Sequence, residues 1–173
     1  MTGPVSAMDR TQFIEHFGGV YEHSPWIAMQ VFDTGLGPLL NTPAGLSSAM
    51  TEVVEQAGRE PQLVLLRSHP DLAGRLAVSG ALSAASSAEQ AGAGLDQCAP
   101  EEFSEFTDLN TRYAEKFGFP FIVAVRGLDR EGILERFRQR VEHDLDTEFE
   151  EALSQVHRIA RLRMDEVFDT IRA

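Results

Sequence analysis

A polar, turn-forming stretch, Arg67-Ser68-His69-Pro70-Asp71, follows directly on the apolar run that ends at Leu66. The residue before a proline is disfavoured in the α region, so a helix is expected to end at or just before His69. An imidazole at a helix end titrates near neutrality and is suited to move a proton. His69 is therefore a candidate for acid–base chemistry. A hydrogen-bonded histidine that only ends a helix is the structural alternative.

Two further polar positions could serve a buried anionic substrate together with His69. The first is Glu89, for which an exposed helix acid is the alternative. The second is one of Arg161 and Arg163, which lie among apolar residues of a predicted C-terminal helix. A guanidinium in that pattern could also snorkel from a core-facing helix to solvent.

The residue pattern argues against several other kinds of site. The five histidines show no two-ligand spacing, and the single cysteine excludes a cysteine-rich metal site, so we expect no metal. The sequence contains neither a Gly-x-Ser-x-Gly elbow nor a phosphate-binding glycine loop. Chemistry that needs an amine nucleophile has Lys116 as its one candidate, because the other basic residues are arginines.

Composition predicts a soluble protein of one domain. The chain has 173 residues, 43% of them hydrophobic, and no apolar run of the ~20 residues that a membrane span needs. The formal charge of −12 repels phosphate backbones, so we expect no nucleic acid partner. Residues 1–8 lack the features of a signal peptide. We expect them to form a disordered leader before a helical domain at 9–173, in a cytoplasmic protein.

Most segments carry signals of helix starts and stops, which predicts an all-α fold. The starts fall at Asp9, Ser24-Pro25, Thr42-Pro43, Pro61, Ser86, Pro100, Asp129 and the capping box Thr147–Glu150. Glycines supply several of the stops. The small-residue stretch 77–85 is expected to be loosely structured.

The segment 119–126 is the exception to this helical pattern. It is an apolar run that periodicity alone cannot assign to a strand or a buried helix, and its proline and β-branched residues favour an extended backbone. No second strand candidate is available to pair with it. Its backbone N–H groups therefore need other partners, and a ligand could be one of them.

Taken together, the motifs resemble those of one family, the decarboxylases of 2-oxo-4-hydroxy-4-carboxy-5-ureidoimidazoline (OHCU). The resemblance extends from about Phe13 to Val167, and its motifs lie at residues 17–26, 68–72, 86–95, 117–122 and 159–163. Each motif alone is weak evidence, whereas their order and spacing together are specific.

The resemblance implies roles for the candidate residues. Its proton donor falls on His69, its acid on Glu89 and its C-terminal arginine on Arg163. The substrate contacts that it implies fall on Pro70, Ser86, Ser87, Ala88, Gln90, Phe121, Ile122, Val123, Ala124 and Val125.

The resemblance also implies a compact, single-domain bundle of about eight to ten helices with one short extended substrate-binding segment. It implies a homodimer that uses no cofactor. The expected reaction is the decarboxylation of OHCU to (S)-allantoin and CO2 in urate degradation.

Two alternatives stay open at this point. The chain could be a non-catalytic helical module that binds a ureide or acts as a scaffold, although the presence of His69, Glu89 and Arg163 together argues against this. It could also be a decarboxylase or lyase of a related heterocycle, which the sequence excludes less firmly.

Overall fold

The structure is a computed structural model that describes residues 3–73 and 82–173. Within these residues the chain forms eight α-helices and no strand, which confirms the predicted all-α fold. The helices are α1 (Arg10–Phe17), α2 (Trp26–Thr34), α3 (Pro43–Gln56), α4 (Arg59–Arg67), α5 (Ala84–Gly92), α6 (Pro100–Phe117), α7 (Arg130–Arg140) and α8 (Leu145–Arg172). Short 3-10 turns occur at Val5–Ala7, Pro38–Asn41 and Leu95–Gln97. Within the described ranges, no helix is long and apolar enough to cross a membrane.

The chain divides into two compact units. The first consists of the described part of Met1–Ser68 and of His157–Ala173. The second is the described part of His69–Val156. Helix α8 contributes its first turns to the second unit and its remaining turns to the first.

The first unit has an aromatic core. The rings of Phe13 and Phe17 lie 5.1 Å apart between centroids, and Phe17 lies 5.6 Å from Phe168 of α8. Local signals begin α1 and α3 as predicted. Asp9 forms a capping box with Gln12 at the start of α1, and Thr42 caps α3 ahead of a proline. The caps fix where these helices begin, and the buried phenyl rings determine which face of each helix packs into the core.

Residues 3–8 differ from the disordered leader that the sequence predicted. Val5 is buried within a 3-10 turn. The Ser6 N–H donates to Asn41 Oδ1 at 2.8 Å, and Asn41 Nδ2 donates to Ser6 Oγ at 3.0 Å. This reciprocal pairing and the burial of Val5 hold residues 3–8 in place. Met1 and Thr2 lie outside the described residues.

The second unit is built around Tyr113 of α6. Its ring is fully buried and meets four phenylalanine rings at centroid distances of 4.5 to 5.8 Å, those of Phe117, Phe119, Phe121 and Phe137. Gly118 ends α6 at a φ of +76°, a conformation that glycine adopts without strain. The chain then enters the segment Phe121–Val125, which is neither helix nor strand and is buried at every residue.

Three helix starts differ from the predicted ones. Helix α4 begins at Arg59, two residues before the predicted start at Pro61. The cap of α5 is Ser83, whose Oγ accepts from the Ser86 N–H at 3.1 Å, so Ser86 lies inside the helix. Of the stretch predicted to be loose, residues 77–81 lie outside the described residues, whereas Ala84 and Ala85 are helical. Helix α8 begins at Leu145 and not at a Thr147 capping box.

Candidate active site

The turn that presents His69 is held by side chains from two helices. His69 lies two positions beyond the end of α4, and it is 9% exposed. Asn110 Nδ2 of α6 donates to the Leu72 carbonyl at 3.0 Å. Gln90 Oε1 of α5 accepts from the Ala73 N–H at 3.1 Å, where the backbone turns at a φ of +51°. The imidazole is therefore buried on a turn whose backbone is held by hydrogen bonds.

Helix α5 directs only part of its predicted substrate-binding segment inward. Ser86 and Gln90 are buried, one helical turn apart, and Glu89 is half-buried beside them. Ser87 and Ala88 are exposed. Gln90 bonds to the backbone of the histidine turn, so α5 and that turn form one connected piece of the second unit.

The segment Phe121–Val125 is held by two side chains. Arg140 Nη1 of α7 donates to the Ile122 carbonyl at 2.6 Å. Gln155 Oε1 of α8 accepts from the Ala124 N–H at 2.9 Å. Within the described part of the chain, no acceptor pairs with the N–H groups of Phe121, Ile122, Val123 and Val125. Buried donors of this kind cost free energy unless a partner is supplied.

Arg163 lies in the first unit and pairs with a buried acid. Its Nη1 is 2.8 Å from Glu22 Oε2, and both side chains are almost fully buried. The second carboxylate oxygen, Oε1, lies 3.5 Å from His23 Nε2. The backbone carbonyl of Glu22 accepts from the hydroxyls of Ser24 and Ser68 at 2.9 and 2.8 Å. Glu22 is thereby fixed at both its backbone and its side chain, and it fixes the guanidinium in turn.

Arg140, which holds the segment Phe121–Val125, also belongs to a buried hydrogen-bond network around Glu148. Glu148 is fully buried and accepts from Arg140, from the Tyr113 hydroxyl and from His143, whose Nδ1 lies 2.9 Å away. Burial and the bond to Glu148 raise the pKa of Tyr113 well above its usual value, so this phenol stays protonated. The network neutralises the Arg140 guanidinium inside the protein.

Sequence reasoning missed Glu22, Asn110, Arg140 and Gln155. A signal existed for two of them. Arg140 lies three positions after Phe137, on the apolar face of α7, and Gln155 shares a face of α8 with Ala152 and Ile159. A polar residue within an apolar helical stripe indicates a buried group with a specific partner.

The placement of the predicted residues follows the two units. His69, Pro70, the α5 residues and Phe121–Val125 belong to the second unit, and Arg163 belongs to the first. Among the described residues there is no group of three potential metal-ligating side chains. The fold and these side chains define a class: an all-α protein with a buried imidazole, a buried guanidinium and buried backbone donors. Such groups can bind an anion and move a proton.

Comparison with known proteins identifies the family. The OHCU decarboxylase family model matches residues 6–165. A Haloferax volcanii protein named 2-oxo-4-hydroxy-4-carboxy-5-ureidoimidazoline decarboxylase is 42% identical over 166 residues, which cover 96% of this chain and 95% of that protein. The chain belongs to the OHCU decarboxylase family, and the predicted decarboxylase class is confirmed.

Other relatives are longer than this chain or more distant from it. The uric acid degradation bifunctional protein of Bacillus subtilis is 37% identical over 163 residues, which are 94% of this chain and 32% of that protein. A crystal structure of (S)-allantoin synthase superposes with a TM-score of 0.75 at 29% identity, covering 94% of this chain and 52% of that one. An OHCU decarboxylase crystallised in the presence of (S)-allantoin has the same fold, with a TM-score of 0.68 at 23% identity, covering 87% of this chain and 95% of that one.

Proposed function

We propose that this protein decarboxylates OHCU to (S)-allantoin and CO2 in urate degradation. The observation that carries the proposal is the family match over residues 6–165. The proposal includes a cytoplasmic homodimer that needs no cofactor. The candidate residues supply groups for each step of the reaction.

The reaction itself needs little besides binding and one proton. The substrate carboxylate leaves as CO2 when its C–C bond breaks, and the electron pair stays on the ring. The adjoining C–N and C=O groups delocalise that pair, so no covalent enzyme intermediate is required. The hydroxyl-bearing carbon then becomes C=O by losing its O–H proton, while one proton enters at the neighbouring carbon and one at a ring nitrogen. The atoms balance as OHCU anion plus a net one proton giving allantoin plus CO2.

Arg163 binds the carboxylate of the anionic substrate. A guanidinium binds a carboxylate through two parallel N–H donors, which are strong and directional. Glu22 already holds one of its nitrogens at 2.8 Å, and this contact fixes the plane of the group. The substrate carboxylate would therefore meet donors that are oriented before it binds.

The backbone N–H groups of Phe121–Val125 stabilise the negative charge that develops on the substrate ring. Four of them have no acceptor among the described residues. A well-placed donor of this type contributes about 3 kcal/mol in comparable oxyanion sites. The segment needs no special side chains for this role, because the donors belong to the backbone.

His69 donates the proton that enters at carbon. Glu89 either orients the imidazole or accepts hydrogen bonds from the ureido nitrogens of the substrate. Delivery from one face gives a single enantiomer. Pro70 keeps the histidine turn from continuing as helix. The fixed backbone of the turn limits the positions from which the imidazole donates.

The test is to generate OHCU freshly in situ and follow the circular dichroism of the product with and without the purified protein. We expect faster decay of OHCU and a signal of (S)-allantoin alone. Decay at the spontaneous rate to a racemic product would contradict the proposal, and would favour a non-catalytic ureide-binding module or an enzyme of another heterocycle.

A further inference from the structure

Gln155 and Arg140 were not among the predicted site residues, yet both bond to the backbone of Phe121–Val125, the segment proposed to bind the substrate. We propose that Gln155 and Arg140 are positioning residues, which fix one edge of Phe121–Val125 so that the opposite edge presents its N–H groups to the substrate. The catalytic part of this inference rests on the proposed function. The anchoring part rests on contacts within the second unit.

Gln155 is oriented by a bond at each end of its amide. Its side chain is buried, with 7% exposed. Nε2 donates to Glu151 Oε1 at 2.9 Å, and Oε1 accepts from the Ala124 N–H at 2.9 Å. A carboxylate only accepts, so Glu151 determines which end of the amide faces the backbone. Gln155 is thereby committed to holding one N–H group of the segment.

Arg140 anchors the same segment two residues earlier. Its guanidinium donates to the Ile122 carbonyl and lies 4.5 Å from the centroid of the Phe121 ring. Its Nε donates to Glu148 at 2.9 Å, which balances the buried charge. One side chain therefore contacts the segment through both its backbone and a ring.

The sequence predicts an extended backbone for this segment, and in such a backbone the polar groups alternate between two edges. The N–H and C=O groups of one residue point to one side of the chain, and those of the next residue point to the other. The Ile122 carbonyl and the Ala124 N–H are two residues apart, so both belong to the edge that faces Arg140 and Gln155. The N–H groups of Phe121 and Val123 then point to the opposite edge. Neither has an acceptor among the described residues.

The decisive variant is Gln155→Met, which keeps the length of the side chain but removes the acceptor. The exchange variant Glu151→Gln/Gln155→Glu keeps an acceptor for the Ala124 N–H and keeps one donor and one acceptor between the two side chains. The matched control is Gln62→Met in the first unit, because Gln62 is equally buried and bonds to the Val54 carbonyl at 3.0 Å. Each Met variant loses one buried amide bond to the backbone.

We expect Gln155→Met to lower kcat by about 10- to 100-fold with a smaller change in KM, since small misplacements of catalytic groups have costs of this size. The exchange variant Glu151→Gln/Gln155→Glu is expected to retain most of the activity. Gln62→Met is expected to keep the wild-type kcat per folded molecule. Equal losses in the two Met variants, or a wild-type kcat in Gln155→Met, would overturn the inference.

Hydrogen–deuterium exchange of the segment provides a second readout that does not need turnover. Gln155→Met is expected to speed exchange of the Ala124 amide, and Gln62→Met to leave it unchanged. Unchanged exchange at Ala124 in Gln155→Met would also overturn the inference. A wild-type protein without activity would contradict the proposed function, and the exchange rates would still decide whether Gln155 anchors the segment.

Discussion

Two arginines that lie two positions apart on α8 have opposite surroundings. Arg163 pairs with Glu22 at 2.8 Å with side chains 8% and 1% exposed, whereas Arg161 pairs with Asp165 at 3.1 Å with side chains 42% and 41% exposed. A buried charge that loses its partner is costly, while an exposed pair contributes little. Residue type alone gives no information on this difference.

The pair at Glu22 therefore predicts a large effect on stability. Glu22→Gln should lower the free energy of unfolding by about 3 kcal/mol, because it removes the negative charge that lies 2.8 Å from the buried Arg163 guanidinium. Asp165→Asn is the matched control on the exposed pair and should cost less than about 1 kcal/mol. Urea unfolding of both variants measures the difference. Similar losses in the two variants would show that the burial of Glu22 does not matter.

At the scale of elements, most helix starts were predictable because their signals are local. Asp9, Thr42 and Asp129 each cap the helix that follows them, as their positions indicated. The start of α8 was not predicted, because Asp144 competes for the same groups. Its carboxylate accepts from the N–H groups of Asp146 and Thr147 and from the Thr147 hydroxyl. Because the Thr147 hydroxyl and N–H are bonded to Asp144, Thr147 does not form the predicted capping box with Glu150.

A hydrogen-bonded chain connects α3 to α8 within the first unit. The Tyr21 hydroxyl lies 2.8 Å from His157 Nδ1, and His157 Nε2 lies 3.1 Å from Glu55 Oε1. Burial raises the pKa of Tyr21 to about 12, so the phenol stays protonated. Its O–H group donates a hydrogen bond to His157 Nδ1. His157 then carries its own proton on Nε2 and donates to Glu55.

The hydrogen-bonded series Tyr21–His157–Glu55 predicts that the protein loses stability in mild acid. Burial lowers the pKa of His157 below its usual 6.5, and this effect exceeds the opposing effect of Glu55. The unfolded chain therefore takes up a proton at a higher pH than the folded chain does. The contribution to stability is complete above about pH 6.5 and is lost as the pH falls through the folded pKa.

The measurement is the free energy of unfolding at about pH 7.5 and about pH 5.5 for the wild type and for His157→Gln. The wild type should lose more stability than the variant across this interval, because glutamine does not titrate. Parallel losses in the two proteins would assign the acid sensitivity to other groups.

At the scale of the whole molecule, the sequence predicted the fold class and the family, because helix punctuation and ordered motifs are properties of the chain itself. It did not predict which side chains hold the candidate site. Gln155 reaches a backbone group 31 positions away, and Arg140 one that is 18 positions away. Such contacts depend on how the elements pack, and each looks like an ordinary helix residue before packing is known.

The central claim is that His69 donates the proton in a cofactor-free decarboxylation, and His69→Ala tests it most directly. The measurement is kcat for OHCU decay with the chirality of the product, on a variant whose helical circular dichroism matches the wild type. We predict a fall in kcat of at least ~100-fold, the usual size for acid–base catalysis, with loss of the (S) preference. A folded variant that still forms (S)-allantoin at nearly the wild-type rate would contradict the account.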